Sequence, residues 1–303
     1  MCKVNVLMST YNGAEHLSEQ VVSIMEQTLP GVVLTVRDDG SADATLEVLK
    51  QLEALYPGRI TVIAGENIGY RKSFLSLLSM AAPSDYYAYA DQDDVWLPEK
   101  LEVSVNELQR DGTCLYVSSL WITDGELHKK SKNTFPNYKP GLGSVLVRNR
   151  FPGCAMVFDE RVRSLASKFL EQHPVPEEIP THDALISACA CVIGDTYVDS
   201  RPLLLHRRFA GSVSGGGQGL IKRIKVEARQ VFGEKHTNYR IARFLLDYAG
   251  GSMTKVDRAL LTELVSYHKN RTARKRLLSD KRFSSGMRIA DLEMKMKVWI
   301  GNY

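Results

Sequence analysis

The 303-residue chain contains no run of about 18 apolar residues, so nothing in it reads as a membrane-spanning helix. Its opening, Met1–Met8, is too short for the apolar core of a secretion signal and reads instead as a first strand. Five cysteines, at 2, 114, 154, 189 and 191, form no Cys-x-x-Cys pair and are odd in number. They argue against a disulfide framework or a zinc site and fit reduced thiols in a cytoplasm. No GxxxxGK[ST] occurs, which excludes a P-loop. A GxGxG spacing at Gly215–Gly219 lies far from any first strand-to-helix turn, where a dinucleotide fingerprint belongs, and reads as a flexible loop. No internal repeat is visible. The charge would suit nucleic acid, but no recognition motif accompanies it, so none is expected as a partner.

What is present can build a sizeable core: 44% of the residues are hydrophobic. The net charge of +4 conceals a division. Residues 1–215 carry 20 Lys and Arg against 27 Asp and Glu, whereas residues 216–303 carry 19 against 8. A net −7 thus precedes a net +11, which implies two jobs or one job at a charged surface.

Short β-branched runs alternate with helical patterns from the start. Strands are expected at 4–8, 32–37, 60–64 and 86–90, and helices at 16–26, 43–55 (Ser41 as cap), 72–81 and 98–110. This alternation predicts an α/β fold with a mainly parallel sheet. Beyond residue 111 it weakens: 114–121, 144–148 and 154–158 read as strands around a polar loop at 124–140, and 161–171 as a helix. Another helix opens at Thr181-His182-Asp183, and 203–206 reads as a strand. Gly211–Gly219 reads as a hinge, followed by helices at 220–232, 239–249, 255–268 and 286–300.

Polar clusters follow each of the first four strands: Ser9–Gly13, Asp38–Ser41, Glu66–Gly69 and Asp91–Asp94. In an open parallel sheet the strands' carboxyl ends share one edge, where ligands bind. Each cluster alone is explicable as a turn. The last, Asp91-Gln92-Asp93-Asp94-Val95-Trp96, places three carboxylates within four positions. Like charges this close repel unless a cation neutralises them, and hard carboxylate oxygens suit Mg²⁺ or Mn²⁺. The bland reading is a helix start, with Asp94 as a cap and Pro98 and Glu99 in the first turn.

In order, Ser9-Thr10-Tyr11-Asn12-Gly13, Asp38-Asp39-Gly40-Ser41, Asn67-x-Gly69 and Asp91–Trp96 resemble glycosyltransferase family 2 over residues 3–215. The resemblance implies a GT-A fold, a nucleotide-sugar donor and inversion, with a nucleotide half at about 1–110 and an acceptor half at about 111–215. The Asp-Gln-Asp-Asp-Val-Trp form is most similar to bacterial rhamnosyltransferases using dTDP-L-rhamnose; a UDP-hexose donor, or a silent nucleotide- or saccharide-binding module, stays open.

On that resemblance Thr10, Tyr11 and Asn12 would line the base and ribose pocket. Asp38 would accept the imide N–H of the base, with Asp39, Asn67, Gly69 and Arg71 nearby. Asp91 would lie against ribose or metal-bound water and Asp93 would ligate Mn²⁺ or Mg²⁺. Asp183 would be the base that deprotonates the acceptor, with His182 beside it; its plain alternative is to charge a helix start. Asp94, Trp96, Gly153 and Cys154 would shape the sugar pocket.

Relatives also carry a metal-binding His before a Ser-Gly ending. Aligning Val213-Ser214-Gly215 on that ending puts Phe209 there, with His206 three residues earlier. Either His206 substitutes, or Asp93, diphosphate and water hold the ion. The expected acceptor is a saccharide, free or lipid-linked, in cell-surface polysaccharide assembly. The basic helices of 216–303 would lie on an anionic leaflet at the cytoplasmic face, or pack in a homodimer.

Overall fold

A computed structural model describes residues 2–135, 138, 140–172, 179–209, 237–301 and 303, which group into two compact units. The first draws on 1–138, 151–171 and 194–210, and the second on 139–150, 172–193 and 211–303.

The first unit is built on a nine-stranded sheet. Its elements begin β1 (Val4–Thr10), α1 (Ala14–Met25), β2 (Val32–Asp38), α2 (Thr45–Leu55), β3 (Ile60–Ala64), α3 (Tyr70–Met80) and β4 (Tyr86–Ala90). A two-residue β5 (Val95–Trp96) precedes α4 (Lys100–Leu108), β6 (Thr113–Thr123) and β7 (Lys129–Asn133). Then come β8 (Met156–Asp159), α6 (Glu160–Gln172) and β9 (Asp195–Arg207). Strands run in the order β3-β2-β1-β4-β8-β6-β9-β5, with β7 beside β6.

The first four of these are mutually parallel, so their carboxyl ends do share one edge. The strand β8 then runs antiparallel between β4 and β6, making the sheet mixed. Central β1 shows no polar alternation because it is covered on both faces: Val4, Val6, Leu7 and Met8 are all fully buried. Its fully buried polar residue near the start, Asn5, is satisfied by Thr35 Oγ1, which donates to Asn5 Oδ1 at 3.0 Å.

Several local expectations need correction. Ser41 does not cap α2; its hydroxyl donates to Asp38, while Asp43 Oδ1 accepts from Thr45 N at 3.0 Å. Asp94 does not cap α4, which starts only at Lys100. Residues 144–148 are not a strand: α5 (Leu142–Val147) forms there, opened by Ser144 Oγ accepting from Gly141 N at 3.0 Å. So short an apolar run fits either period, and the cap decides it. The polar stretch 124–140 contains β7, an edge strand whose Lys129 and Lys132 ammonium groups sit 4.8 and 4.6 Å from the Trp121 ring.

The second unit contains α5, α7 (His182–Ile193), α8 (Thr237–Tyr248), α9 (Lys255–Ser266), α10 (Arg271–Ser279) and α11 (Arg288–Ile300). Helix α10 escaped the sequence reading; Asn270 caps it, its side chain accepting from Thr272 N and Ala273 N. Leu185, Ile186, Leu245, Leu261, Leu264 and Val298 are fully buried here. Tyr303 OH donates to Leu146 O at 2.5 Å, and Arg148 pairs with Glu293 at 2.8 Å. The expected hinge at 211–219 and helix at 220–232 lie outside the described residues.

Candidate active site

Three loops at the parallel strand ends are tied into one surface. Asp38, fully buried, accepts from Thr10 Oγ1 at 3.0 Å, from Ser41 N at 2.9 Å and from the Ser41 hydroxyl. It therefore orders the loops after β1 and β2, and its carboxylate has no surface open to a base as the sequence reading expected.

Asn12, in the left-handed region at φ 47°, exchanges two bonds with the second loop. Its N donates to Ser41 Oγ and its Oδ1 accepts from Ala42 N, at 2.9 and 2.8 Å. Asp39 serves the third loop, accepting from Ile68 N and Gly69 N at 2.9 Å each, and it pairs with buried Arg37. Gly40 has φ 78°, and a Cβ there would come within 2.9 Å of Asn67 N, so glycine is required where these loops meet.

Exposed at this edge are Tyr11, Asn12, Asn67, Ile68, Gly69 and Tyr70. Arg71 is half-buried, its guanidinium 5.8 Å from the Tyr70 ring centre. The edge therefore offers aromatic faces and the Arg71 guanidinium.

The acidic loop is fixed from beneath. Gln92 grips Tyr11, its Oε1 accepting from Tyr11 N at 2.9 Å and its Nε2 donating to Tyr11 O at 3.2 Å. Gln20 Nε2 donates to Asp91 O at 3.0 Å. Arg207, at the end of β9, donates to Asp93 O at 2.8 Å and also binds Gly125 O and Glu19. These anchors hold the acidic loop by its backbone atoms.

Asp91, Asp94, Cys154 and His206 bring one potential ligand atom each within 4.8 Å of one another. His206 Nδ1 lies 2.9 Å from Asp94 Oδ1. Burial opposes a charged His206, but the Asp94 hydrogen bond and the charges of Asp94, Asp91 and Asp93 outweigh it and push its pKa up to about 9. Burial, reinforced by Asp94 and Asp91, holds the Cys154 thiol well above its ordinary range, so it stays protonated. Burial and neighbouring Asp91 also raise half-buried Asp93, which lies outside the four-residue cluster.

This donor set fits a hard divalent cation. Asp94 Oδ2 is buried and meets no nitrogen or oxygen donor among the described residues, so it is an acceptor that a cation would satisfy. Carboxylates with one imidazole suit Mn²⁺ or Mg²⁺, and a protonated thiol need not compete. The Asp94 carboxylate on Nδ1 would turn Nε2 outward, the usual way a ligating imidazole is oriented.

Of the other sequence candidates, Gly153 and Cys154 form a buried turn next to β8, and Trp96 is 2% exposed, a core residue and not a pocket wall. Phe209 stacks on His16 at 5.2 Å and takes no part in the cluster. His182 and Asp183 open α7 in the second unit; Asp183 Oδ1 accepts from Ala184 N at 2.8 Å.

Sequence reasoning missed Lys100. It is fully buried, its Nζ lies 3.9 Å from the Trp96 ring centre and has no hydrogen-bond partner among the described residues, and burial lowers its pKa to about 7 against the pull of Cys154 and Asp94. It also missed Arg37 and Arg207. The one signal for Arg37 was an arginine inside an otherwise apolar strand.

Residues 5–166, more than half of the chain, match the model of glycosyl transferase family 2. The chain belongs to that family. It has the GT-A fold, and it is a glycosyltransferase. Among curated relatives, an uncharacterized glycosyltransferase of Nostoc is 26% identical over 88% of this chain and 83% of its own length. The dTDP-rhamnosyl transferase RfbG of Shigella flexneri is 26% identical over 69% of this chain and 73% of its own.

Among solved structures, S. aureus TarS 1–349 in complex with UDP-GlcNAc superposes with a TM-score of 0.55 at 16% identity, covering 99% of this chain and 93% of its own. The Pyrobaculum calidifontis mannosyltransferase PcManGT, in complex with GDP-Man and Mn²⁺, gives 0.51 at 15% identity, covering 99% and 88%. At such identities these two show the shared fold. No helix among the described residues is long and apolar enough to cross a membrane.

Proposed function

We propose that this glycosyltransferase moves a hexose, L-rhamnose from dTDP-L-rhamnose, to a saccharide hydroxyl with inversion, in cell-surface polysaccharide assembly. The observation that carries the reading is the cluster at Asp91, Asp94 and His206 at the edge where four parallel strands end. The similarity to a dTDP-rhamnosyl transferase supports the donor. The acceptor would be lipid-linked, met at the cytoplasmic face of a membrane. Residues 1–215 would do the chemistry and 216–303 form the basic helical region.

In this reading Tyr11, Asn67, Gly69 and Arg71 receive the nucleotide, while Thr10, Asn12, Asp38 and Asp39 hold the loops that present them. Asp91, Asp94 and His206 Nε2 would hold Mn²⁺ or Mg²⁺, with the neighbouring Asp93, the ligand that the family resemblance implies, completing the set. When bound, the cation supplies countercharge to the diphosphate as the bond to the sugar breaks. Asp183 takes the proton from the acceptor hydroxyl on the opposite face, which inversion demands. Burial of Asp94 and Cys154 keeps water from the inner side of the site.

The test is turnover of a panel of nucleotide-sugars with Mn²⁺, Mg²⁺ or EDTA. Preferential use of dTDP-L-rhamnose is expected. Preference for a UDP-hexose would remove the rhamnosyl assignment, and turnover of no donor would favour a silent binding module.

A further inference from the structure

Helix α11 is two-faced in an unusual way. Ala290, Met294 and Val298 are 4, 2 and 0% exposed and pack it against its unit. Its opposite side is also apolar: Ile289, Leu292, Met296 and Trp299 are 66, 61, 46 and 72% exposed. Their spacing of three, four and three residues places them on one stripe about 80° wide at 100° per residue.

Exposed Ile300 extends this stripe, and Met287, just before the helix, is exposed as well. Six of the 14 large apolar side chains exposed among the described residues thus fall within 287–300. Large apolar side chains gathered into one exposed patch and rimmed by polar residues mark an interaction surface.

The exposed charges around it are of one sign. Arg288 and Lys295 are exposed along one border of the stripe, and Lys281, Arg271, Lys275 and Arg276 are exposed on the neighbouring segment. Residues 271–303 hold nine Lys and Arg and three acids, a net +6. Each acid is already engaged: Asp280 with Arg282, Asp291 with Ser284 and Ser285, Glu293 with Arg148 and Lys297.

We infer that the Ile289–Leu292–Met296–Trp299 stripe of α11 is a docking surface for an anionic lipid bilayer, the helix lying in the plane of the headgroups. An apolar stripe with Trp, bordered by Arg and Lys, is the make-up of an interfacial helix. Thirteen residues span about 20 Å, well short of a bilayer core, so the helix lies on the surface and does not cross.

A second copy is the weaker occupant. Stripe against stripe would bring two net-positive borders together with no exposed carboxylate to pair them, whereas anionic headgroups complement every one. The inference agrees with a lipid-linked acceptor but stands on this surface alone, whatever the donor proves to be.

The test is sedimentation of the full chain with phosphatidylcholine vesicles, with or without 30% phosphatidylglycerol, at low and high salt. Three proteins are compared: wild type, Leu292→Ser/Trp299→Ser, and Arg288→Gln/Lys295→Gln. Wild type should bind the anionic vesicles at least tenfold more tightly than the neutral ones. Both variants should lose at least tenfold, and salt should weaken wild type more than the Arg288→Gln/Lys295→Gln variant.

Donor hydrolysis in vesicle-free buffer should be unchanged in both variants, which separates loss of this surface from loss of the enzyme. Equal binding to both vesicles, or variants that bind like wild type, would overturn the inference. So would a wild-type dimer that Leu292→Ser/Trp299→Ser makes monomeric without any vesicle binding.

Discussion

His206 Nδ1 lies 2.9 Å from Asp94 Oδ1, joining the end of β9 to the acidic loop that follows β4. The contact makes an imidazole part of a carboxylate cluster and sets how that cluster responds to pH.

Mn²⁺ should bind more tightly as pH rises. His206 holds its proton up to about 9, so a cation that takes Nε2 must displace it. Titration of Mn²⁺ at pH 6.5 and pH 9 should show at least a tenfold gain in affinity, and His206→Gln should flatten the dependence. Cation-free stability should move the opposite way. The folded pKa lies above the ordinary 6.5, so the contribution is complete below 6.5 and is lost as pH rises through about 9. Denaturant unfolding should report a loss on the order of 1–3 kcal/mol across that window, absent in His206→Gln.

Lys100 imposes a different dependence. Its folded pKa of about 7 is below the ordinary 10.5, so between these values the unfolded chain binds the extra proton. Its burial therefore costs stability at and below neutral pH, and the cost is relieved as pH rises from about 7 towards 10.5. Lys100→Met should be more stable than wild type at pH 7, by about 1–3 kcal/mol, with the gap closing towards pH 10. A variant less stable at pH 7 would show that the ammonium contributes net attraction to Asp94 and Trp96.

Asp39→Asn should loosen the loop at 66–69 without touching the acidic cluster. Asp39 holds Ile68 N and Gly69 N and neutralises Arg37, whose side chain is 6% exposed. Leaving that guanidinium without its counter-charge should cost about 3–5 kcal/mol in denaturant unfolding. The Kd for the donor nucleotide should rise at least tenfold while Mn²⁺ binding holds.

Asp183→Asn separates binding from transfer. If Asp183 removes the acceptor proton, the variant should keep nucleotide affinity within about twofold and lose a factor of roughly 10²–10⁴ in transfer. Near-wild-type transfer would leave Asp183 as a charged first-turn residue of α7.

The strand–helix alternation made β1 to β4 and their polar ends legible, because a parallel sheet buried on both faces writes its period into apolar runs. The acidic loop was legible for the same reason, since three carboxylates break such a run abruptly. The supports under the site were not. Gln92, Gln20, Arg37 and Arg207 act on backbone atoms of distant loops, and such contacts leave no local spacing. Lys100 was hidden because a lysine in a first helical turn normally reads as solvated. Residues 144–148 were misread because a run as short as Val145-Leu146-Val147 does not distinguish a strand from a short helix, and the Ser144 cap that decides it is one hydrogen bond.

The central claim is that the cluster at Asp91–Asp94 and His206 holds a cation that in turn holds the donor's diphosphate. The most direct measurement is Mn²⁺ binding followed by water-proton relaxation, with and without dTDP, in wild type and Asp93→Asn. The account predicts that dTDP and Mn²⁺ tighten one another at least tenfold in wild type and that the coupling disappears in Asp93→Asn. Equal affinity for dTDP with Mn²⁺ and with EDTA would contradict it.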